Sequence, residues 1–387
     1  MERRHDIDAL RALAFAGVIL YHVGMYYVAG WHWHVKSPHE AEWLQWPMRA
    51  LNLWRMDLVF LVSGLAMSLL WRGEGSRRAL LGQRSWRLLL PLAFAMAVVV
   101  PYQVYAQVVA NGSSEPGLAA FLRRYFTGGP WPRDAFDGAE AGVTWNHLWY
   151  LPYLWLYTAV FLLAWPVLGS AAGLRLRERF RALRGWALAL PVLPLLGWSL
   201  LLWRRFPPSH DLIHDGWLHA MYATLFLYGW WMGVDAGLWA ELKRLRHRTL
   251  AIAAALLVLH FVLPRGLPSR LAGDLYLWAM VLAVLGWAHH ALNRPWPWLA
   301  WANESVYPWY VLHQTLIIWL AVQLSPWNLG PVIEPVVLAA GTVAGCWGLT
   351  AVIRRSRWLR PLFGLKPRSR PARPSPASPA RPAAGTA

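Results

Sequence analysis

His22 and His313 each interrupt a long apolar stretch, and each follows residues able to bind anions or move protons. The first stretch reads His5-Asp6-Ile7-Asp8-Ala9-Leu10-Arg11 and then runs apolar to Tyr21-His22. At roughly 100° per helical residue, Arg11 and His22 fall within about 20° of one face and about 16 Å apart along the axis. One stripe therefore carries a guanidinium near its start and an imidazole deeper in. Asp8, at i−3 from Arg11, is placed to pair with it. An imidazole suits general-base work, or it accepts a transferred group itself. The plainer alternative is a snorkelling Arg and a core His bonded to a neighbour.

Further sets follow along the chain. Arg55-Met56-Asp57 precedes Phe60-Leu61-Val62-Ser63-Gly64. Arg55 and Asp57 do not face each other on a helix, so each needs a partner elsewhere. Ser63-Gly64 is a small patch suited to close helix packing. Arg84 and Arg87 lie one turn apart, and two guanidinium groups on one face suit a phosphate-bearing ligand, or simply a positive flank. His147 sits among Trp145, Trp149 and Tyr150, where it either meets a sugar or joins an aromatic belt. Residues 303–314 place Glu304, Ser305 and Tyr307 at one end and His313-Gln314 deeper, with Pro308 loosening the helix between them. No HExxH spacing occurs, and no metal is expected.

The elements that must hold these groups are membrane helices. Of 387 residues, 57% are hydrophobic and only 14% charged, which excludes both an ordinary soluble enzyme and a disordered chain. The 29 Trp residues fit two membrane interfaces. A single cysteine, Cys346, excludes an intrachain disulfide or a CxxC pair. Apolar runs predict an all-α polytopic bundle of about ten transmembrane helices, near 9–29, 51–71, 88–109, 145–168, 186–203, 217–236, 249–263, 271–291, 299–324 and 332–353. With both termini cytoplasmic, 26 of the 37 Lys and Arg residues fall inside and 10 outside. The net charge of +18 then faces the anionic inner leaflet, and nucleic acid is not needed as a partner. The first run is as long as a full span and reads as an uncleaved helix rather than a signal peptide. Residues 1–353 are expected to form the membrane domain, and 354–387 a basic, Pro-rich disordered cytoplasmic tail.

Taken together the motifs resemble the acyltransferase-3 family of integral membrane acyltransferases, over nearly the whole chain. The matching features are Asp8-x-x-Arg11 with Arg11-x10-His22, Arg55-Met56 followed by Phe60-Leu61-Val62-Ser63-Gly64, Arg84-x-x-Arg87 with Pro91, His147-Leu148-Trp149-Tyr150-Leu151, and Ser305-x-Tyr307-x-x-Tyr310-x-x-His313. Within the family the chain is most similar to the glucans biosynthesis protein C branch, which succinylates periplasmic glucans; the supporting stretch is Trp31-His32-Trp33-His34-Val35-Lys36-Ser37. It departs from that branch at His313-Gln314, where the branch carries paired histidines.

The resemblance implies a multi-pass protein of the bacterial inner membrane. It implies acyl-CoA as cytoplasmic co-substrate, no tightly bound cofactor, and a hydroxyl of an exported carbohydrate as acceptor. On this basis His22 is expected as general base or acyl carrier, and Arg11 with Asp8 as donor-orienting groups. Arg84 and Arg87 would bind CoA phosphates, and Arg55, Ser63 or Tyr307 would stabilise an oxyanion. His147 and His313 would orient His22 or bind acceptor, with Trp149, Trp33 and His34 also on the acceptor side. The rival readings are a glycan or acyl-carrier transporter, whose buried Arg and His would line a path, and a non-catalytic membrane partner.

Overall fold

The computed structural model describes residues 4–112, 117–128 and 131–367. Its helices run α1 His5–Tyr27, α2 Gln45–Asn52, α3 Arg55–Leu70, α4 Arg77–Val98, α5 Val100–Ala110, α6 Leu118–Phe126, α7 Tyr150–Leu163, α8 Trp165–Leu168 and α9 Ala171–Arg181. They continue as α10 Val192–Leu202, α11 Gly216–Met232, α12 Ala236–Val262, α13 Leu267–Ala291, α14 Leu299–Leu324, α15 Gly330–Arg355 and α16 Leu359–Leu362. Among the described residues there is no strand, only one isolated bridge between Val28 and Ala41. The fold is all-helical, as expected.

By length and apolarity six of the described segments can cross a membrane, or seven with a bent pair counted as one. The bent pair is α4 with α5, which meet at 42°. Pro101 lacks the N–H that would carry the ladder across the joint. Three of the ten expected spans fall short of these criteria. The segment expected over 145–168 is divided into a 3-10 turn at Asn146–Trp149, the 14-residue α7 and the short α8, with Pro166 at the second break. Helix α11 stops after 17 residues at Gly233. Helix α14 has 26 residues, but Asn303, Glu304, His313 and Gln314 lower its apolarity. The seventh span, expected over 249–263, is the end of the longer α12. Asp235 caps that helix by accepting from the Leu238 N–H at 2.8 Å.

The core is built by helix pairs in close approach. α3 and α11 pack through reciprocal glycines: a Cβ on Gly64 would run into the Phe226 carbonyl, and one on Gly229 into the Leu61 carbonyl. Of the small patch at Ser63-Gly64, Gly64 thus serves the close packing expected of it. α12 lies along α13, where Gly286 abuts the Leu242 carbonyl. α1 packs on α3, α13 and α14, and Arg11 and His22 of its stripe are half-buried. Van der Waals packing and hydrogen bonding drive such contacts where lipid replaces water.

The boundary expected at residue 353 lies inside packed structure. After α15 the chain turns back through α16, and Phe363 and Leu365 are buried. Arg354 and Arg360 both reach Glu304, at 2.7 and 3.1 Å. Those apolar and ionic contacts hold residues 354–367, which composition alone assigns to the tail. The remainder of the expected tail, 368–387, lies outside the described residues.

Candidate active site

A cavity of about 520 Å³ opens at the end of the bundle where α1 begins. Asp8 and Arg11 of α1, Ser63 of α3, Arg84 and Arg87 of α4, Tyr150 of α7 and Tyr307 of α14 line it. The one-turn spacing of Arg84 and Arg87 does place both guanidinium groups in one cavity. Arg360 and Lys366, from the returning chain, also line it. These two cations were not foreseen, because the segment reads as tail. Arg11 donates to the Asn303 carbonyl at 3.2 Å, while its Nε has no partner among the described residues. The Nε of Arg84 and the Tyr307 hydroxyl are likewise buried without partners. Buried donors left unsatisfied at one cavity favour an anionic ligand with several acceptor oxygens.

Deeper in the bundle stand the histidines. His22 Nδ1 lies 2.9 Å from His313 Nε2, so two residues 291 apart in sequence meet on facing helices. His313 is fully buried. Its Nδ1 lies 2.8 Å from the Tyr310 carbonyl and 3.1 Å from the Trp309 carbonyl. Carbonyl oxygens only accept, so Nδ1 of His313 carries the hydrogen and its Nε2 offers a lone pair. His22 must then donate from Nδ1, which leaves its Nε2 as a lone pair. The hydrogen-bond partners thereby assign the tautomer of both rings.

The same reasoning runs outward through a buried network. His147 approaches the Tyr310 and Val311 carbonyls with Nε2, at 3.1 and 3.2 Å, and its ring stands edge-on to His313. Its Nδ1 is therefore an acceptor, and Gln103 Nε2 lies 3.4 Å away. Gln103 Oε1 accepts from Asn146 and Gln314, each at 3.0 Å. Gln314 also donates to His34 Nε2 at 2.9 Å, and His34 Nδ1 donates to Gln107 Oε1 at 2.8 Å. Gln103 and Gln107 are one turn apart on α5, and the bend between α4 and α5 turns that face toward α14. Their amide groups were missed from sequence because glutamines near the end of an apolar run carry no spacing signal.

Several expected positions differ. Ser63 does not stand beside His22: it lies in the basic cavity, where its Oγ donates to the Val59 carbonyl at 2.8 Å and meets the Tyr150 hydroxyl at 2.5 Å. Tyr307 lies in the same cavity against Gly364. Trp33 is buried against Tyr26 and His34, and His34 is held in the amide network. Neither offers a free face to an arriving sugar, because the 28–44 loop folds inward. Ser37 and Tyr27 there donate to the buried Glu334, at 3.1 and 3.2 Å. His147 is buried too, so it belongs to neither a belt nor an open face. Arg55 lies over the Tyr21 ring at 3.3 Å and donates to Asn52 at 3.2 Å, leaving Nε and Nη1 without partners.

His22 and His313 do not line the basic cavity. Phe15, Tyr150 and Tyr310 stand between, with ring centroids 5.4 to 6.0 Å apart. Among the described residues no group of three or more His, Cys, Asp or Glu is placed to hold a metal ion.

No curated protein and no solved structure matches the chain. The model of the family described as an acyltransferase domain matches residues 4–351, nearly the full length. The chain, an all-helical bundle with long apolar helices, therefore belongs to the integral membrane acyltransferase-3 family.

Proposed function

We propose that the protein is a membrane O-acyltransferase, moving an acetyl or succinyl group from cytoplasmic acyl-CoA to a hydroxyl of an exported carbohydrate such as a glucan. The observation that carries this reading is the His22–His313 pair, because it leaves a lone pair on His22 Nε2. The acceptor hydroxyl gives its proton to that nitrogen as its oxygen attacks the thioester carbonyl. The carbon–sulfur bond then breaks, and the CoA thiolate recovers the proton from His22. Such general-base catalysis contributes roughly 10²–10⁴-fold. Arg55, with two unpartnered N–H groups beside Tyr21, donates to the oxyanion. Arg11, Arg84 and Arg87 hold the CoA phosphates, with Arg360 and Lys366 lining the same cavity. His147, Gln103 and Gln314 keep His313 and its neighbours in register and act by positioning.

Under this reading both termini are cytoplasmic and the basic cavity opens to the cytoplasm of a bacterial cell. The test uses protein in lipid nanodiscs with radiolabelled acetyl-CoA and succinyl-CoA and a glucan acceptor, alongside mass spectrometry of glycans from cells with and without the gene. Acyl transfer is expected with one of the two donors and is lost in His22→Ala at equal membrane abundance. Full activity in His22→Ala would sink the mechanism. No transfer with either donor, together with substrate flux in liposomes, would favour a transporter.

A further inference from the structure

At the opposite end of the bundle a second cavity of about 300 Å³ lies between α3, α11, α13 and the loop before α11. Its walls are aromatic: Trp149, Trp203, Trp217 and Tyr222 all line it. Between these rings stand groups of both charges, Arg55 and Asp57 from α3 and Arg270 from α13, with Asn52 at the rim. Asp57 is buried, and Arg270 pairs with the fully buried Asp274. Two guanidinium groups and one carboxyl thus line the cavity together, and Arg270 is already paired with Asp274.

That mixture selects the ligand. A cation would meet the two guanidinium groups that line the cavity, and a phosphate or carboxylate would meet the buried Asp57 carboxyl. A polyol suits both, since every hydroxyl donates and accepts. Flat aromatic walls with a few convergent polar groups complete a small-molecule site, and the volume is near the lower end for one. It suits a single sugar ring rather than an oligosaccharide.

The wall is built, not incidental. The carboxylate of Asp215 is fully buried and accepts from Tyr153 Oη at 2.7 Å and from the N–H groups of Ser209 and His210 at 3.1 and 3.2 Å. These bonds fix the loop that carries Pro208 and His210 into the cavity. His210 and Leu212 are held at φ of 56° and 70°, a region that costs energy for residues other than glycine. The His210 ring packs on Trp149 at 4.3 Å. Arg55 lies at the inner edge of this cavity and over Tyr21, the neighbour of His22.

We propose that this cavity is the acceptor subsite and takes one neutral sugar residue, stacked on its aromatic walls and hydrogen-bonded to Asp57, Asn52 and Arg270. The word acceptor rests on the acyltransferase reading; the sugar site itself does not. Saturation-transfer NMR on protein in nanodiscs, with a panel of methyl glycosides (gluco, galacto, rhamno and N-acetylgluco) and methyl phosphate as the anionic probe, tests it. At least one glycoside is expected to receive saturation and methyl phosphate none. Trp203→Ala and Asn52→Ala should each weaken binding by about tenfold. Thermal unfolding of each variant checks that it is folded. No saturation of any glycoside by the wild type, or undiminished binding in both folded variants, overturns the proposal. Glycoside binding that is lost in the variants, in a protein that transfers no acyl group, keeps the sugar site and discards the acyltransferase reading.

Discussion

At the residue scale, the decisive feature is a set of fixed hydrogen positions. Two backbone carbonyls force the hydrogen of His313 onto Nδ1, and that choice passes through a 2.9 Å contact to His22. His313→Ala removes the acceptor for His22 Nδ1–H and frees that ring to turn. The expected result is a fall in kcat of at least about tenfold with little change in KM for acyl-CoA, read from initial rates at varied donor concentration. A rise in KM with unchanged kcat would place His313 in donor binding instead. At the basic cavity, Arg84→Ala and Arg87→Ala should do the reverse and raise KM for acyl-CoA. A charge-assisted hydrogen bond contributes about 1.5–3 kcal/mol, so a rise of roughly tenfold or more is expected for Arg84, which is the more buried of the two. Dephosphorylated donor analogues should narrow that difference under the acyl-CoA reading, in which the partner is phosphate.

At the element scale, the elements that carry the buried histidine and glutamine network around His313 are irregular. α7 is preceded by a 3-10 turn, α5 is bent away from α4, and α14 holds Pro308. Irregular backbone at depth is tolerated where protein buries it, and here it turns Gln103, His147 and His313 toward one another. The regular element is the α3–α11 pair: α3 lines both cavities and α11 lines the aromatic one. Gly64→Ala would drive a methyl group into the Phe226 carbonyl. The backbone cannot yield there as a side-chain tip can, so this variant should lose most of its folded yield. Its melting temperature by fluorescence size-exclusion should fall, whereas Gly17→Ala, with open space at its Cβ, should not move it. Equal melting of the two would contradict the close approach of α3 and α11. Phe15 occupies the gap between the basic cavity and the histidines. Phe15→Trp enlarges that barrier and should lower transfer while leaving binding of CoA itself unchanged, measured by calorimetry.

At the scale of the whole molecule, two cavities of different chemistry face opposite ends of the bundle, and the histidine pair lies in the protein between them. The basic cavity is lined in part by residues that return after α15. Truncation after residue 367 should therefore leave acyl-CoA binding intact, and truncation after residue 355 should weaken it by removing Arg360 and Lys366. Pull-down on immobilised CoA distinguishes the two; equal binding would mean that α16 and the following residues merely rest against the bundle.

Composition and periodicity alone determined the class of molecule: a chain 57% hydrophobic, with long apolar runs, has to bury its backbone polar groups in membrane helices. The ordered spacing of Arg11 and His22, of Arg84 and Arg87, and of Ser305 to His313 also carried the resemblance to the family, and helical periodicity relates such positions within one element. Contacts between elements are another matter. Periodicity says nothing of which helix faces which, so the meeting of His22 with His313 and the placement of Ser63 and Tyr307 in the basic cavity waited for the tertiary structure. So did Gln103, Gln107 and Gln314, whose role depends on the bend after α4 rather than on any motif. The folded segment 354–367 was hidden for a related reason. Its short helix is held by Glu304 and by burial of Phe363 and Leu365, and such long-range contacts leave no trace in local composition.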